Sequence, residues 1–202
     1  TDVLEALMRI VLASRNEGKL NELRQMFREL PITLESQADH NVPSPEETGS
    51  TFIENALLKA KAVCLATGHP AIADDSGLVV PALNGAPGIF SARYAGEHGD
   101  DISNNEKLIQ TLQNVNNRSA HFYCAMVFML HAKDPSPLVA FGTWHGEIVE
   151  HPAGENGFGY DPHFFLPDKG VTSAQLEPFV KNTISHRGQA AGSLLTQLTH
   201  LF

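Results

Sequence analysis

The stretch Met8-Arg9-Ile10-Val11-Leu12-Ala13 is apolar enough to form a buried β-strand, and the chain then runs through Ser14-Arg15-Asn16-Glu17-Gly18-Lys19 into a helical pattern. From Gly18 to Leu30 the apolar side chains recur at helical spacing, namely Leu20, Leu23, Phe27 and Leu30. A strand that leads through a short loop into a helix is the repeating unit of α/β proteins. This stretch therefore decides the fold class that the sequence predicts.

The following segments continue this alternation. The capping box Thr51-x-x-Glu54 predicts a helix over residues 51–67 that stops before Gly68. A short strand over 70–73 is predicted to end at Asp74-Asp75-Ser76-Gly77, and a Gly/Pro-rich loop over 84–99 follows it. A second capping box, Ser103-x-x-Glu106, predicts the start of another helix.

Two longer apolar segments, 121–131 and 138–150, predict a central strand and its hairpin partner. After a glycine-rich loop over 154–161, the chain ends in a predicted helix over 189–198. No internal repeat, low-complexity tract or linker interrupts the sequence. It therefore predicts one α/β domain over residues 1–202 with a mixed sheet.

Composition narrows the function classes. The formal net charge of −9 argues against a protein that coats nucleic acid, because such binding needs many Lys and Arg side chains on the phosphates. Cys64 and Cys124 lie in apolar segments without metal-ligand spacing, which favours free thiols in a reducing compartment. No segment is long and apolar enough to span a bilayer, and the first residues, with Asp2 and Glu5, are unlike a secretory signal. We therefore expect a cytoplasmic protein with neither a membrane nor a nucleic-acid partner.

Two groups of residues are candidates for phosphate chemistry. The loop over 14–19 places backbone N–H groups and Lys19 at a helix N-terminus, where anions are readily held, although it lacks the Walker spacing and also suits an ordinary helix start. The carboxylates of Asp74 and Asp75 repel each other unless a cation such as Mg²⁺ neutralises them, but Asp-Asp-Ser-Gly is also good turn chemistry. Asn55 and Lys59 share one face of the predicted helix, which is either its solvated side or a wall of the same site.

Two further motifs suggest a base pocket. Gly157-Phe158-Gly159-Tyr160-Asp161 places an aromatic ring between glycines, which suits stacking on a base but equally an aromatic turn packed on the core. Ser185-His186-Arg187-Gly188 supplies a guanidinium that can donate to a purine O6 and N7. The alternative for this motif is an N-terminal helix cap with solvated charges.

Together these motifs closely resemble the inosine/xanthosine triphosphate pyrophosphatase family, also called the non-standard purine NTP pyrophosphatases. The resemblance runs nearly end to end and rests on six ordered blocks: Ser14-x-Asn16-x-Gly18-Lys19, Glu47-Thr48-Gly49-x-Thr51-Phe52-x-Glu54-Asn55-Ala56-x-x-Lys59-Ala60, Ala73-Asp74-Asp75-Ser76-Gly77-Leu78, Gly85-Ala86-Pro87-Gly88-x-x-Ser91-Ala92-Arg93-Tyr94, Gly157-Phe158-Gly159-Tyr160-Asp161-Pro162 and Ser185-His186-Arg187-Gly188. It implies hydrolysis of ITP, dITP and XTP to the monophosphate and pyrophosphate. It also implies a long mixed β-sheet with flanking helices, two lobes around a central cleft, dependence on Mg²⁺ and a homodimer.

The resemblance further implies a role for each matched residue. Asp75 is expected to be the catalytic acid or base and a metal ligand, Glu47 a second metal ligand, and Lys19 and Lys59 catalytic cations on the phosphates. The residues expected to bind substrate are Ser14, Arg15, Asn16, Glu17, Gly18, Lys19, Ser76, Phe158, Gly159, Tyr160, Asp161, Lys181, His186 and Arg187. The pair Ser14-Arg15 departs from the Thr-Gly or Ser-Asn of many relatives and adds a guanidinium to the loop.

The expected reaction is attack of water on the α-phosphorus, with cations neutralising the charge that grows on the leaving pyrophosphate. A donor that pairs with a 6-oxo group, and is left unpaired by a 6-amino group, would select the base, so adenine nucleotides are expected to be poor substrates. Two alternatives stay open at this point: a phosphatase that releases orthophosphate, and a nucleotide-binding regulatory module. The paired aspartates argue against the second.

Overall fold

The computed structural model describes residues 7–202 and contains a seven-stranded mixed sheet. Its strand order is β2-β1-β3-β4-β5-β6-β7. The strands are β1 (Met8–Leu12), β2 (Ile32–Ser36), β3 (Ala71–Val79), β4 (Ser119–Met129), β5 (Leu138–Ile148), β6 (Phe164–Leu166) and β7 (Val171–Thr172). β1 pairs in parallel with β2 and β3, whereas β6 pairs antiparallel with β5 and β7. The predicted α/β class and mixed sheet are confirmed.

Five α-helices accompany the sheet: α1 (Glu17–Met26), α2 (Phe52–Thr67), α3 (Asp101–Thr111), α4 (Pro178–Ile184) and α5 (His186–Leu198). The predicted start and end of α2 are confirmed, because Thr51 and Glu54 form the reciprocal capping box and Gly68 ends the helix at a φ of 70°. None of the helices in residues 7–202 is long and apolar enough to cross a membrane. The acidic start of the chain, with Asp2 and Glu5, lies outside the described residues.

Two predicted helix starts were wrong. α3 begins at Asp101 and not at the Ser103 box, because the Asp100 carboxylate accepts from the Ser103 N–H at 3.0 Å and from its hydroxyl at 2.6 Å. α5 begins at His186, three residues before the predicted start at 189, because the Ser185 hydroxyl accepts from the Gly188 N–H at 3.2 Å. A charged or hydroxyl side chain that captures a first-turn N–H outweighs a matching capping pattern further along.

The middle of the chain is also more regular than its composition predicts. β3 does not end at Asp74 but continues to Val79, because the two aspartates find donors on neighbouring helices and need no turn. The Gly/Pro-rich loop over 84–99 contains a 3₁₀ helix, Gly88–Arg93. Its Ser91 hydroxyl accepts from the Leu78 N–H and donates to the Gly88 carbonyl.

The chain divides into two compact units, and the division passes through β3, β4 and β5. Unit 1 comprises the chain up to Asp75, Ala125–Phe141 and Ala190–Phe202, and its core joins α2 to β1 and β3 through small apolar side chains such as Ala56, Ala60, Ala71 and Ala73. Unit 2 comprises Ser76–Cys124 and Gly142–Gln189, with a core of larger residues that includes Leu108, Phe122, Trp144, Tyr160 and Phe164. The single domain with a cleft between two lobes stays a prediction.

Candidate active site

The loop between β1 and α1 is built as a capped helix start. The Ser14 hydroxyl accepts from the Asn16 N–H at 3.1 Å, and the Asn16 side chain caps α1 by accepting from the Lys19 N–H at 3.1 Å. Glu17 is the first residue of α1, and a Cβ on Gly18 would lie 3.1 Å from the Asn16 amide oxygen. The cap explains the local sequence, so any phosphate chemistry of this loop depends on where its Lys19 side chain lies.

Two contacts tie this loop to the last residue of β2 and to the segment after it. The Arg15 guanidinium, which the resemblance did not explain, donates to the Val42 carbonyl at 3.2 Å. The Ser36 hydroxyl donates to the Ser14 carbonyl at 2.8 Å. Arg15 therefore serves in this structure as a strut between two loops, and its predicted contact with substrate stays a prediction.

Lys19 reaches the first of the paired aspartates on β3. Its Nζ atom lies 3.1 and 2.9 Å from the two carboxylate oxygens of Asp74. Asp74 is only 4% exposed, so this ion pair is shielded from water on the carboxylate side. Both oxygens of Asp74 thus face one cation.

Asp75 is held from a different helix, because successive strand residues point to opposite faces of a sheet. The Asn55 amide donates to Asp75 Oδ2 at 3.2 Å, and Lys59 Nζ donates to Asp75 Oδ1 at 3.3 Å. Lys59 also donates to Glu47 Oε1 at 2.8 Å. Asn55 and Lys59, one turn apart on α2, are therefore a wall of the same cluster and not a solvated face.

Burial and charge shift two pKa values in this cluster. Burial raises the pKa of Asp75, and repulsion from Glu47 adds to the rise, while Lys59 and the bond from Asn55 oppose it. Burial alone would lower the pKa of Lys59, but Asp75, Asp74 and Glu47 together raise it. The lysine therefore stays charged, whereas Asp75 holds a proton more readily than an ordinary aspartate.

The acids of this cluster suit a divalent cation. Glu47 Oε1 and Asp75 Oδ1 lie 2.8 and 3.3 Å from the same Lys59 ammonium nitrogen, so both acids face one cation. No group of three His, Cys, Asp or Glu side chains in the described part of the chain is arranged to hold a metal by itself. Mg²⁺ typically takes one or two carboxylates together with water and substrate phosphates, so these two acids fit it.

In unit 2, the loop over 157–161 is organised around Asp161, which is 2% exposed. Its carboxylate accepts from the Phe158 N–H at 2.9 Å, from the Ser173 hydroxyl at 2.8 Å and from Lys181 Nζ. Gly157 has a φ of 79°, and a Cβ there would collide with the same carboxylate. Asp161 therefore fixes the shape of the loop, and Ser173, which belongs to no sequence motif, completes its shell.

The loop presents one aromatic ring among cations. Phe158 is 59% exposed, and its ring centroid lies 5.0 Å from Lys181 Nζ and 5.7 Å from Arg187 Cζ. Arg187 also approaches the Ser76 hydroxyl, at 3.4 Å. The structure thus brings Ser76, Phe158, Lys181 and Arg187 together, and their contact with substrate stays a prediction.

Two predicted substrate residues lie deeper. The Tyr160 ring is 4% exposed in the core of unit 2, and its hydroxyl donates to the Ser91 carbonyl at 2.8 Å, so its side chain has the core-packing role weighed as the alternative. His186, 8% exposed, stacks on Phe122 with ring centroids 4.8 Å apart. Both rings therefore pack on residues of the core of unit 2.

Comparison with known proteins gives consistent matches. The model of the Ham1 family matches residues 10–197. A dITP/XTP pyrophosphatase of Chromobacterium violaceum is 53% identical over 192 residues, which cover 95% of this chain and 98% of the relative. One of Escherichia coli O157:H7 is 50% identical over 194 residues, covering 95% and 98%. The solved structure of a HAM1 protein from Coxiella burnetii superposes with a TM-score of 0.93 at 49% identity, and the match covers 96% of this chain and 99% of that protein. The structure of the Staphylococcus aureus Ham1 protein superposes with a TM-score of 0.88 at 44% identity, and the match covers 96% of this chain and 100% of that protein.

Proposed function

The chain belongs to the Ham1 family, and from this premise we propose that it hydrolyses triphosphates of non-standard purine nucleosides, such as dITP, ITP and XTP, to the monophosphate and pyrophosphate. The family that the motifs predict is confirmed, since the relatives carry the name dITP/XTP pyrophosphatase. The observation that carries the proposal is the pairing of Lys19 with Asp74 and of Lys59 with Asp75, on consecutive residues of one strand. This arrangement gathers two cations and two acids at one strand, as a triphosphate and its metal require.

We assign the phosphate contacts to Lys19 and Lys59. Both ammonium groups are shielded, with side chains 21% and 14% exposed, so a phosphate oxygen that replaces an aspartate as their partner would interact in a medium of low dielectric. Charge grows on the bridging oxygen as pyrophosphate leaves. Fixed ammonium groups beside that oxygen lower the barrier because they need no reorganisation during the reaction.

Asp75 is the better candidate for the base that takes the proton from the attacking water. Asp74 has both oxygens turned to Lys19, whereas Asp75 has one oxygen fixed by Asn55 and the other turned to Lys59 and Glu47. In the absence of a metal ion, burial raises its pKa, so it holds a proton more readily than an ordinary carboxylate. Asn55 orients the side chain by donating to Oδ2.

Glu47 and Asp75 would hold Mg²⁺, which supplies positive charge to the phosphate oxygens when bound. Lys59 pairs with the same two acids in this structure, so it offsets part of their charge in the absence of substrate. The ammonium group then turns toward the phosphates when the carboxylates have another partner. The chain thereby keeps its buried acids paired in both states.

We assign base selection to the cluster around Phe158. The exposed ring offers a stacking surface, and Arg187 and Lys181 are the nearby donors. A donor suits the 6-oxo group of inosine or xanthosine and faces a 6-amino group in adenosine, where it would remain unpaired. We also propose that the protein is a cytoplasmic homodimer; two cysteines that are both buried suit a reducing compartment.

The released product tests the function. ITP is incubated with the protein and Mg²⁺, and pyrophosphate and orthophosphate are quantified separately, with inorganic pyrophosphatase omitted. We expect one pyrophosphate per IMP. Release of orthophosphate with IDP would establish the phosphatase alternative, and tight binding of ITP without turnover would establish the regulatory module.

A further inference from the structure

Two side chains of α3 hold the peptide groups on both sides of Gly159. The Asp101 carboxylate accepts from the Gly159 N–H at 2.7 Å, and the Asn105 amide donates to the Gly159 carbonyl at 2.8 Å. The two residues are four apart on a helix, so they share one face of α3. Neither belongs to any of the sequence motifs.

Gly159 is the point at which this support matters. Its φ is 61° and that of Gly157 is 79°, so Phe158 lies between two glycines in the left-handed region. Because glycine has no side chain, its backbone is freer to change conformation than that of other residues. A bond to the N–H and another to the C=O of the same residue remove that freedom. Asn105 is itself fixed, because its amide also donates to the Asp101 carbonyl at 2.9 Å.

The same contacts determine which groups of the loop are engaged. The Phe158 N–H donates to Asp161, and the Gly159 N–H donates to Asp101. Backbone N–H groups are the usual alternative to side chains for recognising a carbonyl oxygen. Because these two are already bonded, recognition of a 6-oxo group falls to side-chain donors such as Arg187.

Asn105 has one further property. Its Oδ1 atom is buried and has no hydrogen-bond partner within the described residues. An unsatisfied buried oxygen is destabilising, so an alanine there would relieve one cost to the helix. The two bonds from the amide nitrogen are the compensation that the structure shows.

We infer that Asp101 and Asn105 are positioning residues for base selection: they fix Gly159 so that Phe158 holds the base at one place relative to Arg187. This inference rests on the proposed function and deepens it. Discrimination between a 6-oxo and a 6-amino group requires a fixed base, since a mobile base can tilt its unmatched edge away from the donor. Loosening the loop therefore weakens binding of inosine nucleotides and narrows selectivity, without touching the phosphate chemistry.

The test compares Asp101→Ala and Asn105→Ala with Glu106→Ala, an exposed residue of the same helix. For the first two variants we expect the KM for ITP to rise about tenfold, the scale of one hydrogen bond to a charged or fixed group, with kcat changed less. The ratio of kcat/KM for ITP to kcat/KM for ATP should fall in both variants. Asp101→Asn, which keeps an acceptor, should be intermediate, and Glu106→Ala should match the wild type.

Amide hydrogen exchange in the free protein provides a readout that does not depend on activity. The Gly159 N–H should exchange faster in Asp101→Ala but not in Glu106→Ala. Unchanged exchange of the Gly159 N–H would show that the clamp, meaning the two bonds from Asp101 and Asn105 to Gly159, does not restrain this residue. Faster exchange with equal losses for ITP and ATP would overturn its role in selection and leave a merely structural one. If the wild type does not cleave ITP, the proposed function fails, and exchange at Gly159 still decides whether the clamp exists.

Discussion

Two buried aspartates, each bonded to a lysine, have different sets of other partners in this molecule. Asp161 in unit 2 accepts from a backbone N–H, a hydroxyl and Lys181, and the residues it bonds all belong to the loop or its support. Asp75 in unit 1 accepts from Asn55 and Lys59 and lies near the carboxylate of Glu47. The first carboxylate is held by three donors, one of which is a backbone N–H of the loop that it shapes.

The second carboxylate is held less completely. Burial and Glu47 raise the pKa of Asp75, so its charged form is disfavoured relative to an ordinary aspartate. A carboxylate in that state gains from a proton or a metal ion. The difference shows that a lysine partner does not by itself mark an aspartate as structural or catalytic. The other groups around each carboxylate are what distinguish Asp161 from Asp75.

Removal of divalent metal should give the largest effect, and only in the region of Asp75. We expect excess chelator to abolish hydrolysis of ITP and Mg²⁺ to restore it, because Glu47, Asp75 and a triphosphate would otherwise repel each other. The melting temperature of the free protein should change little, since Lys59 already pairs with both acids. Full activity in chelator, with metal loss verified by elemental analysis, would remove the metal role of Glu47 and Asp75.

Replacing each of the two aspartates, Asp75 and Asp161, by asparagine compares them most directly. Asp75→Asn keeps size and hydrogen bonding but removes the base, so turnover of ITP should fall on the order of a hundredfold or more while the protein still folds. Steady-state kinetics and circular dichroism measure the two properties. Near-normal turnover in a folded variant would move the role to Asp74 or another acid.

Asp161→Asn should behave in the opposite way. It leaves the Lys181 ammonium without its anionic partner and weakens three bonds inside the loop, so we expect the free energy of unfolding to fall by about 2 kcal/mol. Urea denaturation measures this loss. A stability equal to that of the wild type, together with a hundredfold fall in turnover, would place Asp161 in the chemistry and erase the contrast.

The smallest expected effects concern Arg187, which we propose to recognise the base, and Phe158, which we propose to stack on it. Arg187→Ala should reduce kcat/KM for ITP about tenfold and for ATP much less, because only a 6-oxo group accepts its hydrogen bond. Phe158→Ala should weaken both substrates by a similar roughly 1 to 3 kcal/mol, since every base offers a π face. An unchanged ITP-to-ATP ratio in Arg187→Ala would assign recognition of the 6-oxo group to Lys181 or another donor.

Local sequence patterns predicted those elements whose causes are local. The α2 cap, its glycine stop and the strand before Ser14 depend on residues within a few positions of one another, and all three are confirmed. The start of α3 was predicted wrongly, because two overlapping caps compete there and Asp100 captures the Ser103 N–H first. The short strands β6 and β7, of three and two residues, carry too few side chains to show a period.

The sequence by itself determined the family, the α/β class and both ends of α2, since these depend on order and short-range spacing. Only the tertiary structure decided the partners. Lys19 and Asp74 are 55 residues apart, and Gly159 is 58 residues from Asp101 and 54 from Asn105. A hydrogen bond across such a separation depends on how the chain packs, because no local pattern constrains the distance between its two ends. For that reason the different partners of Asp75 and Asp161, and the two bonds that hold Gly159, became visible only in the folded chain.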